Sequence, residues 1–202
     1  MREKSVNYVL GMGLKPNPNL PLLGELSIHK TIESAGHRLL AMNVCVALSY
    51  QFPIEKGVEW LKREGAWSAL TPDEIDCIES DDIPSDFGWY ADSLWSLAWA
   101  ASLVGPLCPA KGMPDTFVHT FPDIMVMAPS AEFMAKLKFR EVGDIVQALD
   151  IYYCLHNAIR SEVIGGKTSQ DNLILLKTVE YQRHSLEWLL DVCNWDDVSL
   201  DT

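Results

Sequence analysis

Apolar residues recur along this chain at intervals of three and four, the spacing that gathers side chains on one face of an α-helix. The clearest stripe is Val142, Ile145, Leu149, Tyr152, Ile159 and Val163. A second is Leu175, Val179, Leu186 and Leu190, widened by Leu176, Trp188 and Leu189. Gly165-Gly166 stands between them, and glycine ends a helix without steric cost. Ser169 or Asp171 can cap the helix that follows. The connection is short, so the two helices are expected to pack as an antiparallel hairpin. His156 and Arg183 fall in gaps of the two stripes, pointing inward at roughly matching depth.

The same reading extends backwards. Ile32, Ala35, Leu39, Met42, Val46 and Tyr50 trace a helix over residues 31–50, and Val58, Trp60 and Leu61 one over 54–64, ended by Gly65. Thr71-Pro72-Asp73-Glu74 is a helix start, with a threonine cap, proline at the first position and a glutamate to close the capping box. A central helix begins at Ser85 or Asp86. Tyr90, Leu94, Leu97, Ala98 and Ala101 form one face, and Trp95 and Trp99 a second. Apolar nearly all round, it reads as buried core, and its tryptophans as packing, not a ligand box. Asp92, Gly88 and several hydroxyls argue against residues 87–104 spanning a membrane. The proline-rich stretch 106–129 predicts a long loop with a short strand near 123–127, and Ser130 a brief helix to about residue 138. Pro16, Pro18 and Pro21 forbid a continuous helix at the start. Residues 1–26 are therefore expected to be irregular, as a loose arm or an extended strap, and 27–202 a single all-α domain of about six to eight helices.

The chain has 202 residues, 48% hydrophobic and 22% charged, enough for one real core. Met1-Arg2-Glu3-Lys4 does not open a cleavable signal. Cys45, Cys77, Cys108, Cys154 and Cys193 show no metal-ligand spacing and read as free thiols of a reducing cytoplasm. The net charge of −12 is concentrated. Asp73, Glu74, Asp76, Glu79, Asp81, Asp82, Asp86 and Asp92 run without a base, as do Glu187, Asp191, Asp196, Asp197 and Asp201. Such a surface repels phosphate backbones, which argues against nucleic acid and favours a basic protein partner, against the plainer reading of a solvated acidic surface.

Catalytic signatures are missing. There is no Gly-x-Ser-x-Gly and no His-Glu-x-x-His. Pro16 stands where Gly11 and Gly13 would need a third glycine. Gly165-Gly166-Lys167-Thr168 resembles the end of a phosphate loop, but Ser161 takes the first glycine's place and a helix precedes it, so capping explains it better. Glu33 and His37 lie one turn apart without a second such pair. No cofactor and no metal are expected.

The run Glu141-Val142-Gly143-Asp144-Ile145-Val146-Gln147-Ala148-Leu149-Asp150, then Tyr152 and Leu155-His156, then Glu180-Tyr181-Gln182-Arg183-His184 with Trp188-Leu189-Leu190, and the ending from Trp195-Asp196-Asp197-Val198, together resemble the bacterial domain of unknown function 4272 family. Trp67 with Leu70-Thr71, and Ser93-Leu94-Trp95, extend the resemblance to about residues 30–202. The chain departs from the pattern near Cys154, where a basic residue is expected, and at Leu200, where threonine is usual. The family has no established activity, so the resemblance implies fold more than function.

The candidate polar cluster is Tyr152, His156, Arg183 and His184 with the tail carboxylates Asp196 and Asp197. An indole as large as Trp195 is seldom left in water beside a core edge. The tail is therefore expected to dock on the hairpin, bringing Asp196 and Asp197 towards Arg183, His184 or Arg160; the competing picture is a free peptide. Two functions fit. One is a non-catalytic binding protein, for example an antidote-type protein that blocks a basic toxin or nuclease. The other is a small hydrolase-like enzyme using the His/Arg cluster in a groove. An open, solvent-lined cluster favours the enzyme, and a filled, tail-covered one favours the binder.

Overall fold

The computed structural model describes residues 1–109, 113–166 and 169–201. Among these there are eight α-helices, five short 3-10 turns and no strand. The helices are α1 (Arg2–Gly11), α2 (Ile32–Ser49), α3 (Ile54–Arg63), α4 (Pro72–Glu79), α5 (Tyr90–Ala100), α6 (Ala131–Lys136), α7 (Val142–Ile164) and α8 (Gln170–Leu190). Among the described residues no helix is long and apolar enough to cross a membrane.

Local chemistry sets most boundaries. The Thr31 hydroxyl accepts the Ser34 N–H at 3.0 Å and starts α2. At α4 both arms of the capping box form: Glu74 N–H donates to Thr71 Oγ1 at 3.3 Å and Thr71 N–H to Glu74 Oε2 at 2.9 Å. Ser169 caps α8 by accepting the Asn172 N–H at 3.1 Å. α7 stops at Gly165, and Gly166 takes φ +85°, a conformation that favours glycine. Lys167 and Thr168, which carry the phosphate-loop likeness, lie outside the described residues.

α5 is the hub. It packs on α2 on one side and α8 on the other; α7 lies against α8, and α1 against α7. The hydroxyl of Ser93 donates to the Tyr181 carbonyl at 2.8 Å, and Ser96 meets Ser185 at 2.6 Å, so small side chains let α5 and α8 approach closely. Trp95 stands edge-on to Phe117 at 4.9 Å, from which a ring series runs through Phe121 to Phe133. The fully buried Trp60 donates its indole N–H to the Ala128 carbonyl at 2.8 Å, fastening the proline-rich segment to the body.

Four local expectations need correction. Residues 2–11 are helix α1, not an irregular arm. The helix is specified by a contact 148 residues away: Arg2 Nη2 lies 2.8 Å from Asp150 Oδ1, and the Ser5 hydroxyl donates to Asp150 Oδ2 at 2.5 Å. Arg2 also donates to the carbonyls of Leu20 and Pro21, tying down the proline segment behind it. Residues 123–127 form a 3-10 turn (Ile124–Val126), not a strand, because the Asp123 carboxylate takes the Met125 N–H at 2.9 Å and closes the backbone on itself. Residues Ser85–Trp89 wind as a 3-10 turn before α5 begins, with Gly88 inside that turn and Phe87 tucked into the core. Ser130 does not cap α6 with its side chain; its hydroxyl and N–H both donate to Glu64 Oε2, at 2.7 and 2.8 Å.

Candidate binding site around the C-terminal clasp

The expected polar cluster divides into three parts. The first joins α7, α8 and the tail. Arg183 donates from Nη1 to His156 Nδ1 at 2.8 Å and to the Leu200 carbonyl at 3.1 Å, and from Nε and Nη2 to Glu187 Oε1 at 3.0 and 2.9 Å. Its guanidinium also lies 4.8 Å from the Tyr153 ring centre. A guanidinium only donates, so His156 Nδ1 accepts and the ring proton sits on Nε2. That N–H points towards Glu180 Oε1 at 3.4 Å, a long and poorly aligned donor contact. His156 thereby holds the Glu180 carboxyl below its usual range, while burial pushes Glu187 up despite Arg183. His156 and Arg183 are each 2% exposed, so the centre of the knot is buried while its carboxylates, Glu180 and Glu187, reach solvent.

The second part takes Tyr152 away from His156. Its hydroxyl donates to Gln182 Oε1 at 2.7 Å, and Gln182 Nε2 donates to Asp92 Oδ1 at 2.9 Å, a buried ladder from α7 through α8 to α5. Burial pushes Asp92 up from the usual carboxylate range to about 6, against the pull of Gln182 and Thr178. A carboxylate whose folded pKa is raised stabilises the fold fully below its unfolded pKa and loses that contribution as pH rises through about 6. Asp92→Asn is thus expected to be more stable than the parent at pH 7, by on the order of 1–3 kcal/mol, with the difference vanishing near pH 4. Urea denaturation at pH 7, 5.5 and 4 measures this; a variant no more stable than the parent at pH 7 rules it out. His184 works in the opposite sense. Burial, then the Arg38 charge, lowers it to about 4, so its contribution is present at neutral pH and is lost as pH falls through about 4.

The third part is the tail. Trp195, 7% exposed, closes on the body with Arg38 Cζ 4.1 Å from its ring centre, His184 at 4.5 Å and Trp188 at 5.4 Å. The indole docks as expected, but Asp196 and Asp197 do not go to Arg183, His184 or Arg160. Asp196 lies against Thr71 at the start of α4, whose side chain draws its carboxyl down, and Asp197 accepts from Asn194 Nδ2 at 3.0 Å. The reason is geometric: the 3-10 turn Trp195–Asp197 sets Asp196 beside α4 and keeps Asp197 on its own turn, and a main-chain carbonyl, that of Leu200, returns to Arg183.

Sequence reasoning missed the residue beneath the indole. Arg38 is 2% exposed and grips Glu74 with two bonds, Nη1 to Oε2 at 2.7 Å and Nη2 to Oε1 at 2.6 Å, while Nη1 also donates to the Ala69 carbonyl at 2.9 Å. The capping-box glutamate is therefore also the counter-ion of a buried arginine. The available signal was a single charge inside the apolar run from Ala35 to Met42.

Two hollows flank Trp195 and share it and Asp196 as a wall. One, of about 680 Å³, includes Lys30, Ser34, His37, Ser68, Thr71 and Asp197. The other, of about 380 Å³, is bounded by Asp73, Tyr90, Glu180, Tyr181, His184 and Leu200. Among the described residues no three potential metal ligands come together. A separate apolar groove of about 750 Å³ runs between α2 and the 118–125 segment, with Tyr50 and Met125 on its exposed rim.

No curated protein and no solved structure matches this chain. The model of one family, described as a domain of unknown function (DUF4272), matches residues 1–198. That span takes in α1 and the proline segment, which the resemblance read from the sequence left out. The α7–α8 hairpin with its tail and the body that it closes on are thus parts of one family unit, and the chain belongs to the DUF4272 family.

Proposed function

We propose that this is a non-catalytic binding protein that presents an acidic face to a basic protein partner. The observation that carries this reading is the convergence of the two acidic stretches. Asp73, Asp76, Glu79, Asp81, Asp82 and Asp86 are all exposed on and after α4, and the docked tail adds exposed Asp196 and Asp197 beside them. Asp196 feels both Glu74 and Asp73, and the Cys77 thiol is raised by burial and then by Asp82, Asp73 and Asp76. Carboxylates are therefore crowded here, and a cationic partner would relieve them. The burial of His156 and Arg183 supports the same reading, since a groove enzyme would need them open to substrate. An antidote-type role against a basic toxin or nuclease, in a bacterial cytoplasm, is the version this face suits best.

Long-range attraction between such a face and a basic partner speeds encounter and is screened by salt. The association rate with an oligo-arginine peptide is expected to fall at least about tenfold between 50 and 500 mM salt. It is also expected to fall in the variant Asp76→Asn/Glu79→Gln/Asp82→Asn and to hold in the control Glu55→Gln/Glu59→Gln/Glu132→Gln, which removes equal charge elsewhere. Stopped-flow measurement giving equal rates for the two variants would refute the reading.

A further inference from the structure

We propose that the smaller hollow beside Trp195 is a seat for one arginine side chain of the basic partner, its guanidinium lying against the Tyr90, Tyr181 and Trp195 rings and its N–H groups reaching Asp73, Glu180 and Asp196. The inference rests on the acidic-face reading and says where on that face the partner is gripped.

Three observations converge on it. The walls are aromatic: Tyr90 and Tyr181 lie 6.0 Å apart at 53°, and Trp89 stacks on Tyr181 at 6.3 Å, holding that ring in place. The polar lining is anionic, with three carboxylates and no lysine or arginine among the residues that bound the hollow. The rings already serve as cation faces for this chain's own side chains: Arg38 lies over Trp195 at 4.1 Å and Tyr90 at 5.8 Å, and Lys177 over Tyr181 at 5.4 Å.

These features select arginine over other cations. Its flat guanidinium can lie on a ring face while its five N–H groups donate in plane to carboxylates. A lysine ammonium offers the charge but not the plane. Arg38 does not oppose the guest, because Glu74 neutralises it at close range through two bonds. Burial, followed by Glu74 and Asp73, raises the Asp196 carboxyl against the opposing pull of Thr71 and Arg38.

The probe is the peptide acetyl-Gly-Arg-Gly-amide, titrated at low salt into the full chain labelled with nitrogen-15. Saturable shifts are expected at Asp73, Tyr181, His184, Trp195 and Asp196. The citrulline peptide, which keeps the shape and loses the charge, should bind at least about tenfold more weakly, and the lysine peptide several-fold more weakly. Tyr181→Ala and the exposed Asp73→Asn should each weaken the arginine peptide several-fold while their spectra remain those of the folded parent. Equal binding of arginine and citrulline peptides, or shifts confined to Asp76, Glu79 and Asp82, would overturn the seat. If that happens while the oligo-arginine rate still depends on those three acids, the seat alone falls and the acidic-face reading stands. Loss of both dependences removes the reading too.

Discussion

Replacing Trp195 with alanine is expected to destabilise the protein by about 3–5 kcal/mol, the range for deleting a large aromatic from a packed site. The indole is in contact with Arg38, Trp188 and His184, on two helices far apart in sequence. Removing it would open a void between the two hollows and uncover the Arg38 guanidinium, which the ring now covers at 4.1 Å. Thermal and urea denaturation measure the loss. A chain ending at Asn194 should show a comparable drop, because it also loses the Leu200 carbonyl on Arg183 and the Asp196 contact with Thr71. An unchanged melting temperature for that truncation would mean that the tail is not a clasp. Phenylalanine at 195 should recover a large part of the loss, since it keeps a ring face over Arg38.

Glu74→Ala is the second large effect, with an expected cost of about 3–5 kcal/mol. The substitution leaves Arg38 buried without its counter-ion and removes one arm of the α4 capping box at the same time. The informative comparison is Arg38→Met combined with Glu74→Leu. Taking out both charges removes the desolvation cost together with the attraction, so the double variant should be markedly more stable than Glu74→Ala alone. A double variant as unstable as the single one would show that the pair acts through the cap and not through charge. Because Arg38 forms the floor under Trp195, Glu74→Ala should also loosen the tail, readable as a change in indole fluorescence on removal of a carboxylate that does not touch the indole.

Several helix starts and stops were legible because their causes lie within four or five residues. The capping box at Thr71 and Glu74, the cap at Ser169, one of two candidates, and the stop at Gly165 need no knowledge of the rest of the chain. The stripes of α2, α7 and α8 likewise announce which faces are buried, and with them the all-α class. The burial of Trp195 followed from size alone, since an indole near a core edge gains by leaving water.

Partner choice was decided by the tertiary structure. Arg183 and His156 were placed together by periodicity, yet the same reasoning put Tyr152 with them, and packing sent its hydroxyl to Gln182 and Asp92. Arg38 and Glu74 are separated by 36 positions, and Arg2 and Asp150 by 148, so no local pattern links either pair. That distance is also why α1 was misread: an exposed helix with few buried residues shows little stripe, and what holds it is a carboxylate on α7. The tail aspartates were misdirected for the same reason. Sequence limits what a carboxylate can bind, but which cation, hydroxyl or amide lies within 3 Å of it depends on how the backbones are brought together, and here the fold gave Asp196 a threonine and Arg183 a carbonyl.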